Sequence, residues 1–177
     1  SYFGDEEKFK KCRIPTLEEV MSYTKGKIKL NIEIKLSAYE PDLVEGVAAL
    51  IEKYDYKDEC YVTSMNYKAL TEIKKINEEI KTGYILYSAY GNYYNIDNVD
   101  AFSINFSYIN KNVVDAIHYR GKQLFVWTIN DRKTAEKMVA MRVDAVITDN
   151  PVMGKEATYA RYSYSLIENV LSYVFED

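Results

Sequence analysis

The feature that most restricts what this chain can fold into is a repeating alternation. Six short runs rich in β-branched and aromatic residues, at 28–35, 61–65, 84–87, 102–106, 124–129 and 145–148, are separated by helical stretches. Their centres recur roughly every 20–30 residues, the spacing of a strand–helix unit. Several runs are almost wholly apolar, as in Leu124-Phe125-Val126-Trp127, which suits strands covered on both faces. Strands alternating with helices predict a parallel sheet.

The helices are marked by their ends. Thr16-Leu17-Glu18-Glu19 has the form of a capping box, with Leu17, Val20 and Met21 giving the apolar stripe behind it. In the next helix Leu43, Val44, Val47, Leu50, Ile51 and Tyr54 share a face, and Pro41 stands where a first-turn proline is tolerated. Asn66 is expected to cap a helix with Leu70, Ile73 and Ile76 inward, and Asn112 to open a short helix closed by Gly121. Asp131 starts another, with Ala135, Met138 and Val139 facing in. After Asn150-Pro151 comes a last stretch in which Leu166, Ile167, Val170, Leu171 and Val174 are helically spaced.

Six such units admit an open doubly wound sheet or most of an eight-fold barrel. An open nucleotide-binding sheet carries a glycine-rich first turn, and neither G-x-G-x-x-G nor a P-loop occurs here. A barrel instead places functional groups at the carboxyl ends of several strands, and Glu33, Lys35, Ser64, Trp127 and Asp149 fall at or just past such ends. The expectation is therefore an α/β fold, an incomplete (β/α)8 TIM-type barrel of about six units forming a single domain over residues 1–177. A full barrel takes about 250 residues.

Composition narrows the chemistry. The chain is 47% hydrophobic and 28% charged, a globular balance, and its net charge of −4 comes with no basic cluster able to track a phosphate backbone. Nucleic acid is thus not an expected partner. No run of 18 apolar residues occurs, and Ser1 opens an acidic, lysine-containing stretch unlike a signal peptide. The localisation stays open, since a longer parent can be cytoplasmic or membrane-attached. Cys12 and Cys60 read as ordinary free thiols. His118 is the only histidine, and its place before Gly121 suits a helix C-terminus better than catalysis. The 18 tyrosines read as a compositional habit.

Glu33-Ile34-Lys35 is the sharpest local signal. Residues i and i+2 of a strand share a face, so a carboxylate and an ammonium stand side by side. At a barrel mouth the carboxylate can bind a hard divalent cation and the lysine a phosphate oxygen. Trp127, the only tryptophan, can wall a substrate's carbon skeleton or fill the core. Ser64 has no assignable acid–base partner and is given a polar lining role. Asp149-Asn150-Pro151 reads as a helix start before it reads as a ligand site, and Glu40-Pro41-Asp42 as acidic residues offsetting a helix dipole.

Taken together, I-P-T-L-E-E-V, N-I-E-I-K, V-W-T-I-N-D and V-D-A-V-I-T-D-N-P, in this order from about Phe3 to Pro151, resemble the glycerophosphodiester phosphodiesterase family. The resemblance implies a parallel α/β barrel and hydrolysis of glycerophosphodiesters to glycerol 3-phosphate and an alcohol, with a divalent cation, Ca2+ or Mg2+. It implies Glu33 as a metal ligand, Lys35 beside the phosphate, and Trp127 lining the glycerol side of the substrate pocket. Where the family often has phenylalanine after the position of Ser64, this chain has Met65.

Members of the family begin with an H-R-G strand, an E-x-D strand and a second histidine, and the thirteen residues before Ile14 contain none of these. The resemblance therefore implies that the acid–base histidines and two metal carboxylates are absent, leaving no catalytic residue in this chain and metal binding weak or lost. Two functions stay open: an enzyme whose N-terminal part has been removed, which the intact Glu33, Lys35 and Trp127 favour, and a non-catalytic barrel remnant acting as a binding or interaction module. With two strands gone, self-association through open barrel edges is expected.

Overall fold

A computed structural model describes residues 12–37 and 42–159, and everything structural below refers to these. The elements in order are α1 (Leu17–Thr24), β1 (Leu30–Glu33), α2 (Leu43–Lys53), β2 (Cys60–Ser64), α3 (Tyr67–Ile76), β3 (Thr82–Leu86), β4 (Ala101–Asn105), α4 (Lys111–His118), β5 (Gln123–Trp127), α5 (Arg132–Ala140) and β6 (Ala145–Val146). A further helix, α6, covers 151–159. Single 3-10 turns at Tyr93–Asn95 and Phe106–Tyr108 flank β4. All six strands pair in parallel in the sequential order β1 to β6. Among the described residues no helix is long and apolar enough to cross a membrane.

The two faces of the sheet differ in chemistry. Outward-facing Ile32, Ile34, Val62, Phe102, Ile104, Leu124 and Val126 are buried against the helices and form two apolar clusters, one under α1–α3 and one under α3–α6. Burying a side chain of this size contributes about 1.5–3 kcal/mol, so the outer face carries most of the packing energy. The inner face mixes the small and polar Asn31, Thr63, Gly83 and Ser103 with Tyr61, Ile85, Phe125 and Trp127. Thr63 donates to Asn31 Oδ1 across it at 2.9 Å. Tyr61 of β2 reaches Gln123 and packs edge-on against Phe125, ring centroids 5.0 Å apart, although β2 and β5 are separated by two strands. Only a curled sheet brings those residues together, so the six strands form an incomplete TIM-type barrel.

Gly83 lies on this inner face. A Cβ there would come within 2.9 Å of Thr63 Cγ2 and 3.7 Å of Ala101 Cβ. The Thr63 rotamer is held by its bond to Asn31, so the methyl cannot swing aside cheaply. Gly83→Val is expected to lower unfolding free energy by about 1–3 kcal/mol through overpacking. Urea denaturation checks this, and an unchanged midpoint would show that the interior there has slack.

The amino ends of the strands are tied by a device used twice. In Val99-Asp100-Ala101 and Val143-Asp144-Ala145, the aspartate precedes a strand and follows, two residues on, a non-glycine residue with positive φ, Asn98 (55°) or Arg142 (69°). Asp100 Oδ2 accepts from the Thr82 amide at 2.7 Å, and Asp144 Oδ2 from the Leu124 amide at 2.7 Å. Each aspartate's own amide donates back, to Thr82 O and Leu124 O, both at 2.9 Å. A basic side chain from a helix completes each: Lys74 is 2.8 Å from Asp100 and His118 Nε2 is 2.8 Å from Asp144.

Several local expectations are met in detail. Thr16 and Glu19 form the capping box, and the Arg13 guanidinium together with the Thr16 amide holds the Glu19 carboxyl down at about 2. Asn66 caps α3 through the Lys68 amide, Asp131 caps α5 through the Thr134 amide, and Gly121 takes the positive φ that ends the α4 segment. Others are corrected. Asn110, not Asn112, caps α4, because its side chain accepts from the Val113 amide three residues on. Ile76 is 44% exposed, since it closes the last turn of α3 beyond the sheet. The strand expected at 145–148 is only Ala145–Val146. Beyond it, the Thr148 hydroxyl turns to Asn130 and the chain leaves the sheet. Pro41, Glu40 and the apolar positions from Leu166 to Val174 lie outside the described residues. Asp42 precedes α2 and makes no side-chain capping bond.

Candidate active site

β1 ends at Glu33, and its register with Thr63 of β2 sets the carboxylate on the inner face. There Glu33 and Trp127 line one cavity of about 230 Å³ together with Asn31, Thr63, Met65, Ile85, Ser103, Thr128 and Ile147. Trp127 is the last residue of β5, so its indole stands at the carboxyl rim. The ring nitrogen is buried with no hydrogen-bond partner in the protein.

Lys35 lies two residues past the end of β1, not on the strand as the E-x-K spacing suggests. Its ammonium is 3.7 Å from Glu33 Oε1, too long for a hydrogen bond, with the lysine side chain 81% and the glutamate 38% exposed. A pair so placed contributes little to stability, and the ammonium keeps its donors for another acceptor. Both residues also line a larger, open cavity of about 870 Å³ with Ser64, Met65, Asn66, Tyr67 and Lys68.

Ser64 is buried and its hydroxyl is engaged in both directions. It donates to Ile34 O at 2.7 Å and accepts from the Asn66 amide at 3.0 Å. The one hydroxyl proton is therefore spent on the backbone between Glu33 and Lys35, which Ser64 ties to the start of α3.

Asp149 and Asn130 explain why two of the sequence motifs belong together. Asn130 donates to Asp149 Oδ2 at 2.7 Å and accepts from Thr148 Oγ1 and the Asp149 amide at 3.1 and 2.9 Å. Asn150 then caps α6 through the Met153 amide at 3.1 Å. These groups join the segments that follow β5 and β6. His118, by contrast, sits at the amino end of the sheet on Asp144, opposite to the cavity.

Beyond Trp127, at the carboxyl ends of the strands, lie aromatic contacts that sequence reasoning missed. Tyr87 follows β3 and meets Trp127 with centroids 6.0 Å apart; Tyr90 meets Tyr108 at 5.7 Å. The signal was present, since Tyr87, Tyr90 and Tyr108 each follow a strand end, but the abundance of tyrosine hid it.

The fit of a divalent cation can be judged from the donors. Glu33 is the only carboxylate lining either cavity, and no group of three or more histidine, cysteine or acidic side chains able to hold a metal occurs among the described residues. A hard divalent cation takes about six to eight oxygens. Glu33 by itself does not make such a centre.

A curled parallel sheet with its charged pair and aromatic wall at the strand carboxyl ends places this chain among the TIM-type barrel proteins. Comparison with known proteins makes the assignment specific. A model of the glycerophosphoryl diester phosphodiesterase family matches residues 4–153, and the chain belongs to that family. It is 30% identical over 150 residues to a glycerophosphodiester phosphodiesterase of Caldanaerobacter subterraneus, covering 82% of this chain and 62% of that protein. Among solved structures it is similar to a phosphodiesterase of Oleispira antarctica in complex with the product sn-glycerol-3-phosphate, with 27% identity and a TM-score of 0.71 over 81% of this chain and 61% of that one. A glycerophosphodiester phosphodiesterase from Parabacteroides distasonis shares the fold, with a TM-score of 0.75 over 89% of this chain and 72% of that one at 19% identity. The chain spans less than two-thirds of the length of the curated relatives it matches.

Proposed function

We propose that this chain forms the substrate-binding mouth of an enzyme that hydrolyses glycerophosphodiesters to glycerol 3-phosphate and an alcohol. In that reaction water adds to phosphorus, the bond from phosphorus to the alcohol oxygen breaks, and the alcohol leaves with a proton. The observation that carries the reading is the shared cavity of Glu33 and Trp127, with the Lys35 ammonium beside Glu33, in a member of this family. Lys35 binds a phosphate oxygen through an N–H donor, and Trp127 packs its ring on the glycerol carbons. Glu33 would serve as one ligand of a divalent cation, Ca2+ or Mg2+, with the remaining oxygens supplied from outside the described residues.

The test uses the single tryptophan as its own reporter. Glycerol 3-phosphate is expected to change Trp127 fluorescence saturably, with binding weakened at least about tenfold in Lys35→Met, on the scale of a charge-assisted hydrogen bond. Equal binding by the variant would remove Lys35 from the phosphate site.

A proposal on assembly follows from the sheet. Among the described residues neither β1 nor β6 has a strand on its outer side, and unpaired edges invite pairing. The isolated 177-residue chain is expected to self-associate at micromolar concentration. Light scattering that reports a monomer at every concentration would refute this.

A further inference from the structure

Resting on the proposed function, we infer that Met65 is the partition between two compartments of the binding mouth and sets how large a carbon arm the glycerol side accepts. A phosphodiester has an arm on either side of phosphorus, and the mouth has a compartment on either side of Glu33. One is the cavity of about 230 Å³ that contains Trp127, and the other is the open cavity of about 870 Å³ beside Lys35. Among the described residues, Glu33 and Met65 are the two that line both. Glu33 is the polar side of that boundary, so Met65 is its apolar wall. Sites that take a whole drug-sized ligand run to about 300–1,000 Å³. The larger compartment falls in that range and is open, so it receives the departing alcohol with little regard to bulk. The smaller one falls below it, and admits a compact arm such as glycerol only while the wall stands.

The base of this wall is fixed. Ser64 Oγ donates to Ile34 O at 2.7 Å and accepts from the Asn66 amide at 3.0 Å, and Asn66 Oδ1 accepts from the Lys68 amide at 3.0 Å. The backbone on both sides of Met65 is thereby tied, to the end of β1 and to the first turn of α3. The side chain itself is 57% exposed. An unbranched thioether with three rotatable bonds adapts to what packs on it. Met65 shares the smaller compartment with Ile85, Trp127 and Ile147, and the larger with Leu36 and Tyr67. A fixed base and an adaptable tip suit a residue that separates two arms of one ligand. Because so exposed a side chain contributes little to the fold, it can be replaced without unfolding the chain.

The experiment titrates glycerol 3-phosphate and sorbitol 6-phosphate separately against Trp127 fluorescence in the 177-residue chain. Both offer Lys35 the same phosphate and differ in the length of the polyol. Glycerol 3-phosphate is expected to bind at least about tenfold more tightly, the scale on which a shaped pocket rejects extra carbons. Met65→Ala should bring that preference down to about twofold or less, by tightening sorbitol 6-phosphate and not by weakening glycerol 3-phosphate. Met65→Leu, which nearly conserves the volume, should keep the preference. A preference unchanged in Met65→Ala, or one that falls only because glycerol 3-phosphate is lost, overturns the inference. So does equal binding of the two polyol phosphates by the unsubstituted chain. In these cases glycerol 3-phosphate still binds the unsubstituted chain and the inference alone fails. If glycerol 3-phosphate does not bind that chain, the proposed site fails and the inference with it.

Discussion

The 177-residue chain, incubated alone with glycerophosphocholine and Ca2+ or Mg2+, is expected to release no glycerol 3-phosphate above background. Hydrolysis of a phosphodiester needs a proton delivered to the leaving oxygen, and a placed general acid is worth about 10²–10⁴-fold. The only histidine is His118, whose ring lies on Asp144 at the amino end of the sheet. The cavity at the carboxyl end offers one carboxylate, Glu33, among the described residues. The roles proposed for Lys35 and Trp127, holding the phosphate and the glycerol, supply no such proton. An assay of the purified chain for released glycerol 3-phosphate decides the matter. Release that tracks the protein through purification and is lost in Lys35→Met would show that this mouth is catalytic as it stands.

A larger contrast is expected in any longer protein that contains this chain and hydrolyses glycerophosphodiesters. Lys35→Met should lower kcat by about 10²–10³-fold, the scale of one electrostatic contact that strengthens as charge builds in the transition state. The side chain is 81% exposed and makes no hydrogen bond to Glu33, so the substitution should leave stability nearly unchanged. Raising the divalent cation should not restore the rate. Glu33→Gln should respond in the opposite way, recovering part of its loss as the cation is raised. Trp127→Ala should act mainly on KM. Steady-state kinetics over a metal titration reads all three. Near-normal kcat for both Lys35→Met and Glu33→Gln at ordinary cation levels would make the Glu33–Lys35 segment structural.

Periodicity made the architecture legible, because it reports which face of an element is buried. Ile32, Val62, Phe102 and Leu124 announce strands covered by helices, and all are buried there. Capping was equally readable at Thr16, Asn66 and Asp131, where a side-chain oxygen meets an amide two or three residues on. The same rule misled at Asn112, because Asn110 offers the same chemistry two residues earlier. The candidate site was legible only where residue type and strand end coincide, as at Glu33 and Trp127, which line one cavity. What joins them is a cavity, and a cavity depends on how far the sheet curls, which local pattern does not encode. Tyr87 shows the limit: its partner Trp127 is forty residues away in the chain and two strands away in the sheet.

The paired Val-Asp-Ala clamps bear on how such a scaffold can change. Asp100 and Asp144 secure the floor of the sheet with their own amide and carboxylate bonds, aided by Lys74 and His118. None of these groups touches the rim where Tyr87, Tyr90 and Trp127 stand. The anchor and the aromatic rim are thus built from separate residues, at opposite ends of the same strands. Substitutions in the segments after β3 and β4 can reshape the rim while the floor keeps the strands in register, so that novelty at one end is insulated from collapse at the other.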